Sequence, residues 1–272
     1  MEPLSPRNPR VQEVRRLARQ GRHRADRRAF VVEGQVLVLE AARAGLIQEA
    51  YAAPAVDAAW LDEMADLGTA VTFASDAAIE AMATTVTPQP VVAVAAMPAE
   101  FALHELGAGH VVVLDAVGDP GNAGTILRSA EASGAACVVV GPGSVDPFGP
   151  KVVRASAGAV FRVPVSRVDD LRDALEVLRS TGRRSYGTAV DAGAVYDEVD
   201  LTEATIVMGS EAHGMSDDVR AEVDAVVRIP QAGAGESLNV AMAATVLGFE
   251  AARQRRASTA GQTGADTLRE FS

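Results

Sequence analysis

The sequence predicts an α/β protein made of two parts. Short apolar runs alternate with stretches of helical periodicity from residue 29 to residue 97, and the same alternation resumes after residue 110. Pro98 and the glycine-containing segment 104 to 110 separate the two series, which predicts a linker with the boundary near residue 105. With 272 residues, 48% of them hydrophobic, the chain is long enough to bury a sizeable core.

In the first part, apolar runs predict strands and the segments between them predict helices. The runs are "AFVVEG", "EAYAA", "AVTFA" and "VVAVAAM", and the predicted helices cover 34 to 45, 57 to 67 and 76 to 83. Residues 1 to 28 precede them with nine arginines and three carboxylates, a net charge of +6 in a chain of −11. A basic segment on an acidic body is typical of local phosphate contact, and a solvated helix face is the alternative.

In the second part, strands are predicted near 111 to 115, 137 to 141, 184 to 189, 205 to 208 and 226 to 229, and helices over 122 to 133, 169 to 181 and 237 to 255. The last of these helices is free of charge from Val240 to Phe249, which predicts an enclosed helix. N-capping would explain Ser237 at its start. A buried Asn239, however, needs a hydrogen-bonding partner, and a ligand could supply one.

Composition argues against several classes of protein and site. No apolar stretch is long enough for a membrane span or a leader peptide, so we expect a cytoplasmic protein without a membrane partner. The single cysteine, Cys137, lies in an apolar run typical of a buried strand. Four scattered histidines predict no metal site, and His213 has no serine–histidine–aspartate spacing around it. The glycines at 118, 121 and 124 do not have the spacing of a nicotinamide-binding loop.

Three loops rich in small residues each carry isolated polar side chains. They are "DPGNAGTILRSAEASGA" with Asn122 and Arg128, "IVMGSEAHGMS" with Glu211, and "RIPQAGAGESLNVAMAA" with Ser237 and Asn239. Each follows a predicted strand, where open α/β sheets bind ligands, so the three loops predict one composite pocket. Simpler interpretations stay open: Asn122 as a helix cap, Arg128 paired with Glu131, and Glu211 as a surface turn residue.

These loops resemble the three motifs, in order, of the SpoU (TrmH-like) 2′-O-ribose RNA methyltransferases of the SPOUT superfamily. The resemblance covers about residues 110 to 256, and "KVVRASAGAVFRVPV" is similar to the family's segment between its first two motifs. "RRAFVVEGQVLVLEAARAG" is similar to the start of the family's ribosomal-protein-like substrate-recognition domain. Gln231, Ala212 and Ala241 depart from the usual motif residues; none of them removes a proposed catalytic group, and they leave the detailed shape of the adenosine pocket open.

The resemblance implies a deep trefoil knot, a homodimer and S-adenosylmethionine as methyl donor. By motif position, Gly209, Ile229 and Leu238 would line the methyl-donor pocket, while Asn122, Arg128, Glu211, Ser237 and Asn239 would form the catalytic group. Our hypothesis is that Arg128 contacts the ribose 2′-oxygen and the adjacent phosphate and stabilises developing negative charge, because a guanidinium holds its proton tightly.

The resemblance therefore predicts methyl transfer to a ribose 2′-hydroxyl of RNA, with 23S rRNA favoured as the substrate. We expect a substrate-binding domain with a basic arm over residues 1–104, a catalytic domain over 110–256 and a disordered tail over 257–272. Alternatives are a tRNA methyltransferase, a non-catalytic RNA-binding or ribosome-assembly protein, and a small-molecule nucleotide enzyme. The residues expected to bind RNA are Arg15, Arg16, Arg19, Arg22, Arg24, Arg27 and Arg28.

Overall fold

The chain forms two compact units that each combine two separate segments. The structure, a computed structural model, describes residues 2–233 and 237–269. Unit 1 comprises Met1–Ala99 and Asp146–Arg162, and unit 2 comprises Glu100–Val145 and Val163–Ser272. In the described part of the chain, no helix has the length and apolar character needed to cross a membrane.

Unit 1 contains a four-stranded sheet in the order β1-β4-β2-β3. Strand β4 runs antiparallel to both β1 and β2, whereas β3 runs parallel to β2. The alternation predicted from the sequence is confirmed, since every predicted strand and helix of this region is present. The strands are β1 Ala29–Glu33, β2 Ile47–Ala52, β3 Val71–Phe73 and β4 Val91–Ala96, and the helices between them are α3 Gln35–Arg43, α4 Ala58–Asp66 and α5 Asp76–Met82.

The basic N-terminal segment forms two helices, α1 Pro9–Arg19 and α2 Gly21–Arg27. Asn8 begins α1 by accepting a hydrogen bond from the Arg10 amide, and Pro9 at the first position fits a helix start. Helix α1 buries an apolar face in the core of unit 1, while its arginines lie on the other faces. The prediction of a basic arm is therefore wrong, because the apolar residues are spaced three or four apart: Val11, Val14, Leu17 and Ala18.

Residues 146–162 belong to unit 1, although the sequence analysis assigned them to the second part. The segment contains α7 Pro150–Ala155 and a 3₁₀ turn at Ala159–Phe161. The Phe30 ring of β1 lies 5.1 Å from the Phe148 ring and 6.1 Å from the Phe161 ring. These aromatic contacts between residues distant in sequence explain why the segment packs with the first sheet.

Unit 2 contains a seven-stranded, entirely parallel sheet in the order β7-β6-β5-β10-β8-β11-β9. All five predicted strands are present. The short edge strands β7 and β9 were not predicted. The strands are β5 Val111–Leu114, β6 Cys137–Val140, β7 Val165–Arg167, β8 Ser185–Thr188, β9 Ala194–Val195, β10 Thr205–Met208 and β11 Ala225–Arg228. Four helices connect or follow these strands: α6 Pro120–Ala132, α8 Leu171–Ser180, α9 Asp217–Glu222 and α10 Val240–Arg269.

Helix α10 differs from the prediction at both of its ends. It begins at Val240 rather than residue 237, and its helical backbone continues to Arg269 through the stretch expected as a disordered tail. Alanine, glutamine, leucine and arginine within that stretch favour helix, which accounts for the longer element. The trefoil knot implied by the resemblance stays a prediction.

Candidate functional site

A cavity of about 370 Å³ opens at the carboxyl ends of three neighbouring strands of unit 2. It is lined by the residues that end β8, β10 and β11 and by the start of α10. Because all strands of this sheet are parallel, the loops that follow them meet at one edge, which is where α/β sheets bind ligands. Its volume and mixed apolar and polar lining are typical of small-molecule sites.

All three residues predicted to contact the methyl donor line this cavity: Gly209, Ile229 and Leu238. Three of the five predicted catalytic residues line it too, namely Glu211, Ser237 and Asn239. Gln231, which departs from the family pattern, is also on the wall. Residues 234–236 of the third motif lie outside the described part of the chain. The structure thus brings the second and third motifs together around one cavity, while the roles of their residues stay predictions.

Glycine is required at position 209 by the close return of its own loop. A Cβ on Gly209 would lie 2.2 Å from the carbonyl carbon of Gly214 and from the Met215 nitrogen, which no side chain can tolerate. The loop is closed by two backbone hydrogen bonds between Ser210 and Gly214, of 2.9 and 2.8 Å. Gly214 completes the turn with a φ of +70°, a conformation that favours glycine. This narrow turn presents Glu211 at the cavity wall.

A chain of side-chain hydrogen bonds joins one residue from each of the three motifs. The Asn239 amide donates to Asn122 Oδ1 over 3.0 Å, and the Asn122 amide donates to the Glu211 carboxylate. Asn122 is therefore not the cap of α6, because Asp119 occupies that position and accepts from the Asn122 backbone amide at 2.8 Å. Glu211 is exposed, as a surface turn residue would be, but it also has a partner 89 positions away in the chain.

Asn239 also caps α10. Its Oδ1 accepts from the backbone amides of Ala241 and Met242 at 2.9 and 3.3 Å, so Asn239 rather than Ser237 is the capping residue. Both Ser237 and Asn239 are exposed at the cavity, contrary to the expectation of an enclosed helix start. The polar groups of Asn239 are satisfied by the protein itself, and the hydroxyl of Ser237 faces accessible space.

Arg128 differs from the other predicted catalytic residues. It lies on α6, exposed, and forms no hydrogen bond or ion pair with any residue that the structure describes. The alternative interpretation, a pair with Glu131, is therefore not observed. Arg128 does not line the cavity, whereas Asn122 of the same helix is bonded to two residues that do. Its guanidinium is available to a ligand that reaches beyond the cavity.

Two features of the site escaped the sequence analysis. Thr188, Ala189 and Val190 at the end of β8 form one wall of the cavity. Asp115, at the end of β5, is buried and accepts from the Ser216 amide at 2.7 Å and from its hydroxyl at 3.0 Å. These bonds attach the end of the Glu211 loop to the central strand. A carboxylate directly after the apolar run "VVVL" was the available signal.

The predicted RNA-binding arginines divide into two groups in unit 1. Arg16, Arg19, Arg22, Arg27 and Arg28 are exposed and Arg15 is half-buried, whereas Arg24 is buried. The Arg24 Nε and Nη2 atoms lie 2.9 and 2.6 Å from Asp146 Oδ2, and Nη1 donates to the Leu17 carbonyl at 2.8 Å. The prediction for Arg24 is corrected, because its donors are used in the packing of the unit.

Two other titratable residues, Cys137 and His213, do not line the cavity. Cys137 is buried in β6, and this burial raises the pKa of its thiol to about 12, so it remains protonated and unreactive at neutral pH. His213 is exposed in the Glu211 loop, where its backbone amide donates to Ser210 Oγ at 3.2 Å. In the described ranges, no three His, Cys, Asp or Glu side chains are grouped as a metal site would require.

The chain matches two family models that together span most of its length. Residues 109–249 match the SpoU rRNA methylase family, and residues 8–93 match the MRM3-like substrate-binding domain. The first match covers the site described above, and the second covers the sheet and arginine-bearing helices of unit 1.

Similar proteins include enzymes that methylate ribosomal RNA. A 23S rRNA (guanosine(2553)-2′-O)-methyltransferase, RlmP, of Bacillus subtilis is 35% identical over 228 residues, 83% of this chain and 89% of that protein. A 23S rRNA (uridine(2479)-2′-O)-methyltransferase of Streptomyces viridochromogenes is 38% identical over 178 residues, which span 62% of this chain and 61% of that relative.

Solved structures of methyltransferases are similar to this chain over more than nine-tenths of its length. The SpoU methyltransferase AviRb of Streptomyces viridochromogenes, in complex with the cofactor AdoMet, has a TM-score of 0.80 at 30% identity, covering 92% of this chain and 98% of that one. An AdoMet-bound rRNA methyltransferase of Sinorhizobium meliloti has a TM-score of 0.78 at 32% identity, covering 91% and 95%.

Proposed function

Because this chain belongs to the SpoU rRNA methylase family, we propose that it transfers a methyl group from S-adenosylmethionine to a ribose 2′-hydroxyl of RNA, with 23S rRNA as the favoured substrate. The observation that carries the proposal is the hydrogen-bond chain Asn239–Asn122–Glu211, which joins three motifs beside one cavity. The names of the relatives support 23S rRNA over tRNA.

The cavity fits the proposed methyl donor in charge and in polarity. Of the described residues that line it, Glu211 alone carries a formal charge, and its anionic carboxylate suits a cationic sulfonium. Apolar side chains such as Val190, Ile229 and Leu238 offer surface to an adenine ring. When bound, S-adenosylmethionine supplies a methyl group that its sulfonium has already activated.

The chain's own polar residues would then orient the reacting groups. Asn122, held by Asn239 on one side and bonded to Glu211 on the other, fixes the carboxylate at the cavity wall. Transfer would require these residues to align the ribose 2′-oxygen with the methyl group of the bound donor, and the hydroxyl proton would pass to solvent. Arg128 would donate hydrogen bonds to that oxygen and to the adjacent phosphate, stabilising negative charge while the guanidinium stays protonated.

RNA recognition is proposed for unit 1. Five of the predicted arginines are exposed on α1, on α2 and at the C-cap of α2, and the family model of a substrate-binding domain covers these elements. Deleting residues 1 to 28 would not test this cleanly, because α1 contributes Val11, Val14 and Leu17 to the core. Substitution of exposed arginines such as Arg19 leaves that core intact and is the preferred test.

A homodimer is also proposed. Met242 and Phe249 are 61% and 45% exposed and stand seven residues apart on α10, so they lie on the same helix face. Burial of such an apolar face in a second copy is favourable. Light scattering of the purified protein would give a dimer mass, and the change Phe249→Glu would shift it toward the monomer. A monomeric mass at micromolar concentration would contradict this proposal.

The decisive experiment is transfer of labelled methyl from S-adenosylmethionine to separate pools of unmodified 23S rRNA, 16S rRNA and tRNA. We expect label in 23S rRNA at one linkage that resists alkaline cleavage. The change Arg128→Ala should lower turnover by about two to three orders of magnitude. The control, Arg172→Ala, removes an exposed arginine of α8 that pairs with Asp170, the residue before the helix. This change should leave turnover unchanged.

Each other outcome identifies a different function. Label in tRNA alone would replace the substrate and keep the chemistry. Donor binding without transfer to any pool would favour the non-catalytic RNA-binding protein. Equal loss of turnover in Arg128→Ala and Arg172→Ala would overturn the role given to Arg128.

A further inference from the structure

Lys151 is the single lysine in a chain with 25 basic residues. It lies on α7 in the segment 146–162, with its side chain exposed, and it forms no ion pair or hydrogen bond with any residue that the structure describes. Both arginines of that segment are engaged within unit 1. Arg154 Nη1 lies 3.7 Å from Glu33 Oε2, and Arg162 Nη1 lies 2.7 Å from Glu40 Oε2. Unlike Arg154 and Arg162, Lys151 therefore has no carboxylate partner among the described residues.

The ion pair between Arg24 and Asp146 brings α7 to the start of α2. Asp146 lies four positions before α7, and Arg24 lies within α2. A Cβ on Gly21 would lie 3.5 Å from Asp146 Oδ2, and one on Gly149 would lie 3.7 Å from Arg24 Nη2. Gly21, the first residue of α2, and Gly149, which precedes α7, therefore both lie near this ion pair.

This arrangement places two exposed cations at one corner of unit 1. Arg22 follows Gly21, and its side chain is 94% exposed. Lys151 follows Gly149 by two positions. Arg24 and Asp146 neutralise each other, and the carboxylate nearest to Arg22, that of Asp26, is at the limit of ion pairing, with a separation of 4.0 Å. Among the residues that the structure describes, Lys151 has no carboxylate partner and Arg22 has only this marginal one.

We propose that Lys151 contacts a phosphate of the RNA substrate, so that the basic surface of α1 and α2 extends onto α7. The inference rests on the proposed RNA methyltransferase function. An unpaired lysine and a weakly paired arginine on a protein of net charge −11 fit a polyanion, and each phosphate contact gains affinity by releasing counter-ions. A lysine ammonium acts as a point charge with freely rotating donors, which suits a phosphate backbone of irregular path.

The single lysine allows a direct footprint on the whole protein. The protein is treated with an amine-acetylating reagent, with and without a 23S rRNA transcript, and acetylation of Lys151 is followed by mass spectrometry, with the α-amine as internal reference. Fluorescence anisotropy on the same samples measures how much protein is bound. We expect RNA to slow acetylation of Lys151 at least about fivefold at low salt, with protection lost as salt displaces the RNA.

Two results would overturn the inference in different ways. Unchanged acetylation of Lys151 while anisotropy shows bound RNA would reject the contact and leave the proposed function standing. Absence of RNA binding at low salt would reject the proposed RNA substrate, and this inference with it.

Variants give a second measurement. Lys151→Ala should weaken RNA binding about threefold to tenfold at low salt and lower the slope of log affinity against log salt by about 1, whereas Lys151→Arg should restore both. The matched control, Arg43→Ala, removes an exposed arginine of unit 1 that already pairs with Glu40 and Glu63. It should change affinity less than twofold. Equal effects in Lys151→Ala and Arg43→Ala would mean that net charge alone matters, and would reject the contact.

Discussion

The Asn239 side-chain amide donates to Asn122 Oδ1 across 3.0 Å, although the two residues stand 117 positions apart in the chain. This bond joins the start of α10 to α6, and the amide of the same Asn122 side chain donates to the Glu211 carboxylate. If this connection orients the carboxylate, the two asparagines act as one unit in the reaction.

Their effects on turnover should therefore be non-additive. Asn122→Ala and Asn239→Ala should each lower the methyl-transfer rate on the order of 100-fold, and the double variant should be little slower than either. A double-mutant cycle on kcat/KM measures the coupling, which we expect to be about 2.7 kcal/mol, the full effect of one 100-fold loss. Strictly additive losses would show that the two residues act independently.

Asn239→Asp separates capping from catalysis. Aspartate retains an oxygen that can accept from the amides of Ala241 and Met242, so thermal stability should stay near that of the unmodified protein. It loses the donor to Asn122, so turnover should fall as in Asn239→Ala. That second variant should also lose about 1 kcal/mol of unfolding free energy with the cap. Normal turnover in Asn239→Asp would contradict the role of the amide donor.

Gly209→Ala should weaken binding of the methyl donor. Its Cβ would stand 2.2 Å from backbone atoms of Gly214 and Met215, so the turn must open and the cavity wall must move. We expect at least about a tenfold loss of S-adenosylmethionine affinity by calorimetry. Gly107→Ala is the matched control, because a Cβ there meets nothing within 4 Å. Equal affinities of the two variants would show that the turn tolerates the change.

The stability of unit 2 should depend on pH through His110. Burial, then the nearby charges of Arg255 and Arg183, lower the pKa of His110 to about 4. The unfolded chain binds a proton near pH 6.5 and the folded chain near pH 4, so acidification within this window favours unfolding. Between pH 7 and pH 5 this histidine should cost about 2 kcal/mol of unfolding free energy.

The measurement is urea unfolding at both pH values. The change His110→Gln removes the titrating group, so the difference between pH 7 and pH 5 should shrink by that amount, whatever the stability of the variant at pH 7. An unchanged pH dependence in His110→Gln would mean that the histidine does not titrate in this window.

Alanine at Arg24 should lower the stability of the protein, whereas alanine at Arg19 should lower its affinity for RNA. Arg24→Ala leaves the Asp146 carboxylate without its ion pair inside unit 1 and should lower the unfolding free energy by about 3–5 kcal/mol. Arg19 is exposed at the end of α1, so Arg19→Ala should leave stability within about 0.5 kcal/mol and weaken RNA binding instead. Thermal unfolding and anisotropy with 23S rRNA measure the two effects. A stable Arg24→Ala protein would return Arg24 to the RNA-binding set.

Alternation of apolar and helical segments was sufficient to predict most of the fold. The strands β5, β6 and β10 are buried on both faces and appear in the sequence as apolar runs. The edge strand β9 has two residues, and α9 has six, so neither is long enough to carry a periodic signal.

The site could be predicted only in part. Glycines and isolated polar residues after strands predicted two of the loops that line the cavity, those with Glu211 and with Asn239, because that pattern is local; the loop with Asn122 does not line it, and the wall at residues 188–190 was not predicted. The bond between Asn122 and Asn239, like the ion pair between Arg24 and Asp146, depends on how distant segments pack, and no local pattern encodes it. Charge counting likewise could not separate a buried arginine from exposed ones, since only the structure gives the burial of each side chain.

Residues 146–162 limit how chimeras can be made between this protein and its relatives. The segment supplies Phe148 and Phe161 to the Phe30 cluster and Asp146 to Arg24, yet it is encoded between two strands of the other unit. Recombination that replaced only the first hundred residues would combine the sheet of a relative with segment 146–162 of this protein. The two parts would not have evolved to pack against each other. Transplanting unit 1 therefore requires both of its segments, 1–99 and 146–162, to be exchanged together.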